Sequence, residues 1–313
     1  MRLGRRALAA AVLLCLAAEG MASAERATLT AQGSEQGQPF VDRTEVSFVL
    51  VPVTVLDARG RPVATLERHR FRLLVDGLDV PIRSFWREGG LPLSLTILLD
   101  TSGSMGTRRL GRAREAVGSF VSQLAPHDEV CLITFGAGEV KRRLRFGEDP
   151  ARLADVLGPL KGFGTTALYD VLSAAPQLLQ GARHVRRAVL LFTDGVDTAS
   201  EVSPEEARQI LLGIEEPLYV FGIEPPPDVA GRKDTYDVLL ASFAAATGGR
   251  YMRVEDVSRL PALARDLRRE LTMRYIIAFE PSGIGERKER RLEVRVDGKY
   301  QVRARRSYVG TLP

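Results

Sequence analysis

Hydrophobic and polar positions alternate in blocks along this chain. From about residue 91 to residue 273, short apolar runs alternate with segments whose apolar residues recur at helical spacing. This alternation predicts a parallel sheet covered by helices, an α/β fold. We expect strands at residues 93–99, 129–135, 140–146, 187–193, 218–223 and 250–254, of which the polar 140–146 is an antiparallel edge strand. We expect helices near residues 108–124, 150–160, 167–180, 204–214, 235–247 and 257–273.

The segments on either side of this block have the two-residue period of β strands. Residues 45–88 carry Val-rich and alternating runs separated by glycine turns, without a helical period. Residues 274–313 return to alternation, and Asp297-Gly298 predicts a hairpin turn between residues 291–296 and 300–308. We expect the two flanks to pair with each other and to form one small Ig-like β module next to the α/β domain.

The first 24 residues follow a different pattern. Three arginines precede the apolar run 7–18, and Ala22-Ser23-Ala24 supplies a small-residue cleavage site. This three-part pattern is typical of a secretory signal peptide, here residues 1–24. Its apolar run is too short to span a bilayer, and residues 25–44 form a polar, flexible lead. We therefore expect an exported protein, periplasmic or extracellular, without a transmembrane segment.

Composition narrows the class of partner and the compartment. The chain is 45% hydrophobic and 27% charged, which is ordinary for a globular protein. Loss of the signal peptide lowers the formal net charge from +5 to +3, too small a value to indicate nucleic acid binding. Cys131 is then the one remaining cysteine, so no internal disulfide forms. An exported chain without disulfides favours a bacterial envelope.

The most informative pattern follows the apolar run 93–99. Asp100, Ser102 and Ser104 form an Asp-x-Ser-x-Ser array at the carboxyl end of that predicted strand. In open α/β sheets, this end of the strands carries the ligand crevice. Clustered carboxylate and hydroxyl oxygens suit a hard divalent cation such as Mg²⁺. The array therefore predicts a metal site.

Two later segments extend the array, and with them the chain resembles the von Willebrand factor type A family. One is the strand 190–194, which ends in a Thr-Asp-Gly turn; the other is a Gly-rich loop with Thr165 and Thr166. The family places the threonine ligand directly before an Ala-Leu pair, which selects Thr166. The resemblance implies a metal-ion-dependent adhesion site formed by Asp100, Ser102, Ser104, Thr166 and Asp194.

The resemblance also implies a fold and a function. The expected fold is a mostly parallel, doubly wound sheet at residues 91–273. The expected function is binding without catalysis, in which an Asp or Glu of a partner protein completes the shell of a bound Mg²⁺, with Mn²⁺ and Ca²⁺ as alternatives. Together with the flanking β segments, the chain is similar to the secreted bacterial VWFA-related family.

Two other functions stay open at this point. A metal-dependent hydrolase needs an additional base near the metal, and His69, His127 and His184 all lie outside the metal motifs. An envelope scaffold is the other alternative, because residues 286–306 carry nine Lys or Arg and four Asp or Glu. Such a basic hairpin would make weak contact with an anionic envelope surface. Its solvated face is expected to present Arg291, Arg295, Arg303 and Arg305.

Overall fold

The apolar runs form β strands in the computed structural model, which describes residues 48–223, 233–281 and 289–309. The expected signal peptide and lead lie outside the described residues. The strands are β1 (Val49–Leu56), β2 (Phe71–Val75), β3 (Leu78–Val80), β4 (Ser84–Arg87), β5 (Leu93–Asp100), β6 (Glu129–Gly136), β7 (Glu139–Leu144), β8 (Arg186–Thr193), β9 (Leu218–Ile223), β10 (Arg250–Val254), β11 (Tyr275–Phe279), β12 (Glu289–Val296), β13 (Gln301–Arg303) and β14 (Ser307–Val309). The helices are α1 (Gly106–Val121), α2 (Leu153–Leu157), α3 (Leu168–Ser173), α4 (Ala175–Leu178), α5 (Pro204–Leu211), α6 (Lys233–Ala246) and α7 (Leu260–Thr272). Within the described ranges, none of these helices has both the length and the apolar character needed to cross a membrane.

The central sheet has six strands in the order β10-β9-β8-β5-β6-β7. Neighbouring strands run parallel, except that β7 lies antiparallel to β6 at one edge. All eight residues of β5 are buried, because helices cover both faces of the sheet. Helices α1 and α7 pack on one face, and α3, α5 and α6 pack on the other. The prediction of a doubly wound sheet with a polar, antiparallel edge strand is confirmed.

The helix predicted over residues 167–180 is wrong as a single element. The structure has two short helices, α3 and α4, with Ala174 between them at φ −84° and ψ 0°. Pro176 lies in the first turn of α4. Proline has no N–H and its ring clashes with the carbonyl group one turn earlier, so a continuous helix cannot run through this position.

Strands from both flanks form two further sheets of four strands each, β13-β1-β11-β4 and β14-β12-β2-β3. Strand β1 pairs with β11, where Val53 lies opposite Tyr275. Strand β2 pairs with β12, where Leu73 lies opposite Val294. Side chains from the two sheets share one apolar core, because alternate residues of each strand point to the same face. The expected pairing of the two flanks into one β module is therefore present.

The C-terminal strands do not form the hairpin predicted at Asp297-Gly298. After β12 the chain crosses to the other sheet, where β13 pairs with β1 and Val302 lies opposite Val55. Strand β14 then returns and pairs with β12. A local hairpin would leave the backbone groups at the end of β1 unpaired at a sheet edge, and the crossing strand satisfies them.

The expected solvated face of the basic C-terminal segment is also wrong at Arg305. This side chain is buried, and its guanidinium donates hydrogen bonds to the carbonyl oxygens of Leu212 and Ser307. Leu212 caps the C-terminal end of α5, where a cation interacts favourably with the exposed carbonyl groups. Burial lowers the pKa of Arg305 to about 10. Arg305 therefore links the β module to the C-terminal end of helix α5 through a hydrogen bond.

A buried ion pair joins the two chain connections between the β module and the central sheet. Glu88 follows β4 and Arg274 precedes β11; their side chains are 4% and 2% exposed. Arg274 Nε donates to Glu88 Oε2 at 2.7 Å, and the backbone N–H of Glu88 donates to the Arg274 carbonyl at 3.0 Å. The entry and exit of the central domain are therefore held together by both backbone and side-chain contacts.

Candidate functional site

The two acidic candidates lie at the carboxyl ends of adjacent strands. Asp100 is the last residue of β5 and Asp194 directly follows β8. The two strands run parallel, with Leu99 opposite Phe192. The chain leaves β5 towards β6 on one side and later reaches β8 on the other side. Asp100 and Asp194 therefore flank the topological switch point, where ligands bind in open α/β sheets.

The segment after β5 folds back around the Asp100 carboxylate. Oδ1 of Asp100 accepts a hydrogen bond from the backbone N–H of Ser102 at 2.9 Å. The hydroxyl oxygens of Ser102 and Ser104 lie 3.0 Å apart. Asp100 and Ser102 are fully buried, whereas Ser104 is partly exposed. This turn brings the three oxygen-bearing side chains of the Asp-x-Ser-x-Ser array close together.

Thr193 connects the two acidic segments, and the sequence reasoning missed it. Its hydroxyl donates to Asp100 Oδ2 at 2.6 Å and accepts the backbone N–H of Gly195 at 3.0 Å. On the other segment, the N–H of Val196 donates to Asp194 Oδ1 at 3.1 Å. A hydroxyl directly before Asp194, at the end of an otherwise apolar strand, was the available signal, because a buried polar group needs a partner.

Thr166 lies in the loop before α3, which we call the threonine loop (residues 161–167). Thr166 is 1% exposed, whereas the neighbouring Thr165 is exposed. The backbone N–H of Thr166 donates to Thr198 Oγ1 at 2.9 Å, and its carbonyl accepts the N–H of Thr198 at 2.9 Å. Asp197 caps α3 by accepting the N–H of Leu168 at 2.8 Å. The segment after Asp194 thus fixes the backbone position of Thr166.

Backbone contacts also fasten the threonine loop to the segment after β5. Gly103 N–H donates to the Gly164 carbonyl at 2.9 Å, and Phe163 N–H donates to the Thr101 carbonyl at 3.1 Å. Gly164 has a φ of +72°, and a Cβ atom there would lie 2.5 Å from the Cβ of Ala137. Only glycine fits this conformation and this space. The structure thus brings together the segments that carry all five candidate residues.

Burial of two carboxylates at one place raises both pKa values. Burial raises the pKa of Asp100 to about 7, and the negative charge of Asp194 adds to the increase. Hydrogen bonds from Thr193 and Ser102 oppose it. Burial likewise raises the pKa of Asp194, against the effect of hydrogen bonds and of the positive charge of Arg109. The ionised pair is therefore costly in the absence of a cation, and a bound cation would lower that cost.

The oxygen atoms of this site fit a hard divalent cation. Asp194 Oδ2 is buried and has no hydrogen-bond partner among the described residues. Such an atom is unfavourable in a protein interior unless a cation or a donor contacts it. The candidates comprise two carboxylates and three hydroxyls. They therefore differ from metal sites built from three or more Asp, Glu, His or Cys side chains, and the described part of the chain contains no group of that kind. Oxygen-only ligands favour Mg²⁺ or Mn²⁺ over Zn²⁺.

The three histidines lie away from the carboxyl ends of the parallel strands. His69 is in the β module, between β1 and β2. His127 lies two residues before β6 begins, and the backbone N–H of His184 donates to Ser94 Oγ near the start of β5 at 3.1 Å. In a parallel sheet, the amino ends of all strands lie at one end of the sheet and the carboxyl ends lie at the other. His127 and His184 therefore lie at the end of the sheet opposite to Asp100.

Comparison with protein families gives a match that spans the centre of the site. Residues 95–196 match the family model for the von Willebrand factor type A domain. This segment contains Asp100, Ser102, Ser104, Thr166 and Asp194.

Curated relatives also match a part of this chain. Human inter-alpha-trypsin inhibitor heavy chain H4 is 26% identical in an alignment of 129 positions, and the match covers 38% of this chain and 14% of that protein. The same heavy chain from Bos taurus is 26% identical in an alignment of 207 positions, and the match covers 61% of this chain and 22% of that protein. The chain thus spans less than a quarter of the length of these relatives.

Solved structures of type A domains are also similar. The von Willebrand factor type A structure from Catenulispora acidiphila is 16% identical and covers 84% of this chain and 74% of its own, with a TM-score of 0.48. The manganese-loaded TRAP protein of Plasmodium vivax is 16% identical and covers 73% of this chain and 98% of its own, with a TM-score of 0.44.

Proposed function

We propose that this chain, which contains a von Willebrand factor type A domain, is an exported binding protein that recognises a partner protein through a divalent cation. Mg²⁺ is the proposed ion, with Mn²⁺ and Ca²⁺ as alternatives. The observation that carries the proposal is the buried pair of carboxylates, one of which leaves an oxygen without a donor. The residues proposed to hold the ion are Asp100, Ser102, Ser104, Thr166 and Asp194.

The donor set explains why an acidic partner is expected. Two carboxylates balance the charge of a divalent ion, and the remaining proposed ligands are neutral hydroxyls. When bound, such an ion supplies a Lewis-acidic position that takes up a further oxygen ligand. An Asp or Glu of a partner protein is the natural ligand there, because a carboxylate oxygen is a preferred ligand of hard cations.

Binding is favoured over hydrolysis by the surroundings of the buried acids. Both oxygens of Asp100 accept hydrogen bonds from Ser102 and Thr193, so this carboxylate is held in place. A hydrolase needs a base that is positioned to activate water. His127 and His184, the two histidines of the central domain, lie at the opposite end of the sheet. We therefore propose a recognition role without catalysis.

The proposal also covers the organisation of the chain. Residues 1–24 are proposed as the signal peptide and residues 25–44 as a flexible lead. Residues 91–273 are proposed as the binding domain, and residues 45–88 and 274–313 as the supporting β module. The partner is then met in the periplasm or outside the cell.

A metal titration tests the first step. Purified protein is titrated with Mn²⁺ and followed by electron paramagnetic resonance, with Mg²⁺ and Ca²⁺ as competitors. Asp100→Ala is expected to abolish tight binding, whereas Asp266→Ala, which removes a carboxylate 63% exposed on α7, is expected to leave it intact. Equal Mn²⁺ affinity of the two variants would overturn the proposed ligand set.

A capture experiment tests the second step. The immobilised protein is incubated with bacterial envelope extract in Mg²⁺ and in EDTA, beside the same two variants. We expect a partner that is retained in Mg²⁺ and lost in EDTA or on Asp100→Ala. A partner that stays bound in EDTA but elutes in high salt would favour the envelope scaffold instead. Release of a hydrolysis product would favour the hydrolase.

A further inference from the structure

A basic groove lies beside the proposed metal site. Its cavity volume is about 590 Å³, which is within the range of ligand pockets. Of its lining residues in the described part of the chain, Lys141, Arg143 and Lys161 supply the positive charge and Glu139 is acidic, while the guanidinium of the lining residue Arg142 donates to the Leu178 carbonyl instead. We call this cavity the basic groove; it is lined by Thr101, Lys141, Arg142, Arg143, Lys161 and Phe163, among others.

We propose that the basic groove binds an acidic segment of the partner protein, next to the carboxylate that completes the metal site. This inference rests on the proposed function and adds to it the chemistry of the partner surface. The partner would carry several Asp or Glu residues in one extended segment. One of them would reach the cation and the others would lie along the groove.

The groove and the proposed metal site share a wall. Thr101 lines the groove and lies between Asp100 and Ser102 in the chain. Phe163 also lines the groove, and its backbone N–H donates to the Thr101 carbonyl at 3.1 Å. An extended polypeptide advances roughly 3.3–3.6 Å per residue. The residues that follow a metal-bound carboxylate would therefore enter the groove within a few positions.

The charges of the groove are suited to carboxylates. Glu139 pairs with Lys141, so the acidic side chain of the groove is already neutralised. Arg143 Nε donates to Thr134 Oγ1 at 2.9 Å, which fixes the position of its side chain. Lys161 is exposed and has no hydrogen-bond or ion-pair partner within the described residues. The groove therefore presents a net positive charge, which attracts acidic segments and accelerates their association.

A purely structural role accounts for only part of the groove. Charged residues on an edge strand prevent unwanted pairing with other strands, and this explains Lys141 and Arg143 on β7. Lys161 and Phe163 lie on the threonine loop instead, where no strand edge needs protection. Phe163 is 64% exposed and adds an apolar surface to the cationic lining of the groove. Its exposure beside a free lysine points to a contact surface.

Two fluorescent peptides test the inference by anisotropy. One peptide carries several glutamates, and the matched peptide has a single glutamate with glutamines at the other positions. Both are titrated in Mg²⁺ and in EDTA against wild type, Lys161→Glu and Lys299→Glu. Lys299 is the matched control because it is an exposed lysine in the turn between β12 and β13 of the β module. The measured quantity is the ratio of the two peptide affinities, which cancels any change in the metal site itself.

The two proposals predict separate outcomes. In Mg²⁺, we expect the multi-glutamate peptide to bind more tightly than the single-glutamate peptide. Lys161→Glu is expected to lower the ratio of the two affinities by roughly two- to tenfold, because each exposed ion pair contributes little. Lys299→Glu is expected to leave the ratio unchanged. The proposal that the groove binds an acidic segment is overturned if wild type binds the two peptides with equal affinity, or if Lys161→Glu and Lys299→Glu change the ratio equally. Binding that depends on Lys161 but is the same in EDTA supports the groove and overturns the metal-dependent function.

Discussion

The buried Asp100 predicts that the metal-free protein loses stability as the pH rises. Burial raises the pKa of this carboxyl to about 7, against a value of 3.8 for the free side chain. Between these two values the folded state holds one more proton than the unfolded state. The stabilising effect is therefore complete below about pH 4, and it is lost as the pH rises through 7.

The size of the effect follows from the pKa difference. One proton corresponds to a slope of about 1.4 kcal/mol per pH unit, so the interval from 3.8 to about 7 amounts to roughly 4 kcal/mol of unfolding free energy. Asp194 changes stability in the same direction, because burial also raises its pKa. Asp100→Asn removes the charge and keeps the shape. In EDTA it is expected to stabilise the protein at pH 8 by up to about 4 kcal/mol, and by little at pH 4.

Saturating Mg²⁺ is expected to reverse the order of stability. A bound cation stabilises the folded wild type by mass action, and Asn at position 100 would supply no negative charge to it. The wild type should then exceed Asp100→Asn at pH 8. One substitution would thus be stabilising without the ion and destabilising with it, a result that a purely structural role of Asp100 does not produce.

Urea unfolding followed by circular dichroism measures this prediction. Wild type, Asp100→Asn and the exposed-site control Asp266→Asn are unfolded between pH 4 and pH 8, in EDTA and in Mg²⁺. The informative quantity is the difference in unfolding free energy between wild type and Asp100→Asn as a function of pH. A difference that stays constant over this range in EDTA would refute the assignment of a raised pKa to Asp100.

Three further predictions concern the parts that support the site. Glu88→Ala leaves the Arg274 guanidinium buried without its carboxylate, and should lower the unfolding free energy by about 3–5 kcal/mol in urea titrations; a loss below about 1 kcal/mol would contradict a tight pair. Gly164→Ala forces a Cβ into the space of the Ala137 side chain. It should weaken Mn²⁺ binding in electron paramagnetic resonance titrations, while circular dichroism shows a folded protein; unchanged Mn²⁺ affinity would show that ion binding does not depend on the conformation of the threonine loop. Arg305→Ala removes charge-assisted hydrogen bonds to two carbonyl groups and should cost about 1.5–3 kcal/mol of unfolding free energy, whereas a cost near zero would mean that the residue is solvated in solution.

Local patterns in the sequence were sufficient for the central sheet and for the position of the acidic candidates. The apolar run before Asp100 predicts a buried strand from periodicity alone, and the strand's end places the carboxylate at the ligand edge of the sheet. The polar composition of β7 predicts an edge strand, because a strand that is buried on both faces is apolar. These inferences succeed because each depends on residues that are close together in the chain.

The parts that failed depend on contacts between distant residues. Asp297-Gly298 has the composition of a hairpin turn, yet the free edge of β1, more than two hundred residues earlier, takes the following strand. Arg305 lies in a basic, alternating segment, and its burial is set by the carbonyl groups at the end of α5. Thr193 becomes part of the site only because β5 and β8 are neighbours. Sequence periodicity contains no information on which edges meet.

The β module and the proposed ion site lie at opposite ends of strand β5, which bears directly on the proposed function. The chain enters the central domain before β5 begins, where Glu88 and Arg274 hold both connections together, and Asp100 ends the same strand. An eight-residue strand is about 26 Å long at roughly 3.3 Å per residue. The β module and the proposed ion site are therefore separated by the whole length of the sheet's central strand. A partner that binds at the cation and in the basic groove would leave the faces of the β module accessible, so that this module is free to act as a spacer or as a second contact surface.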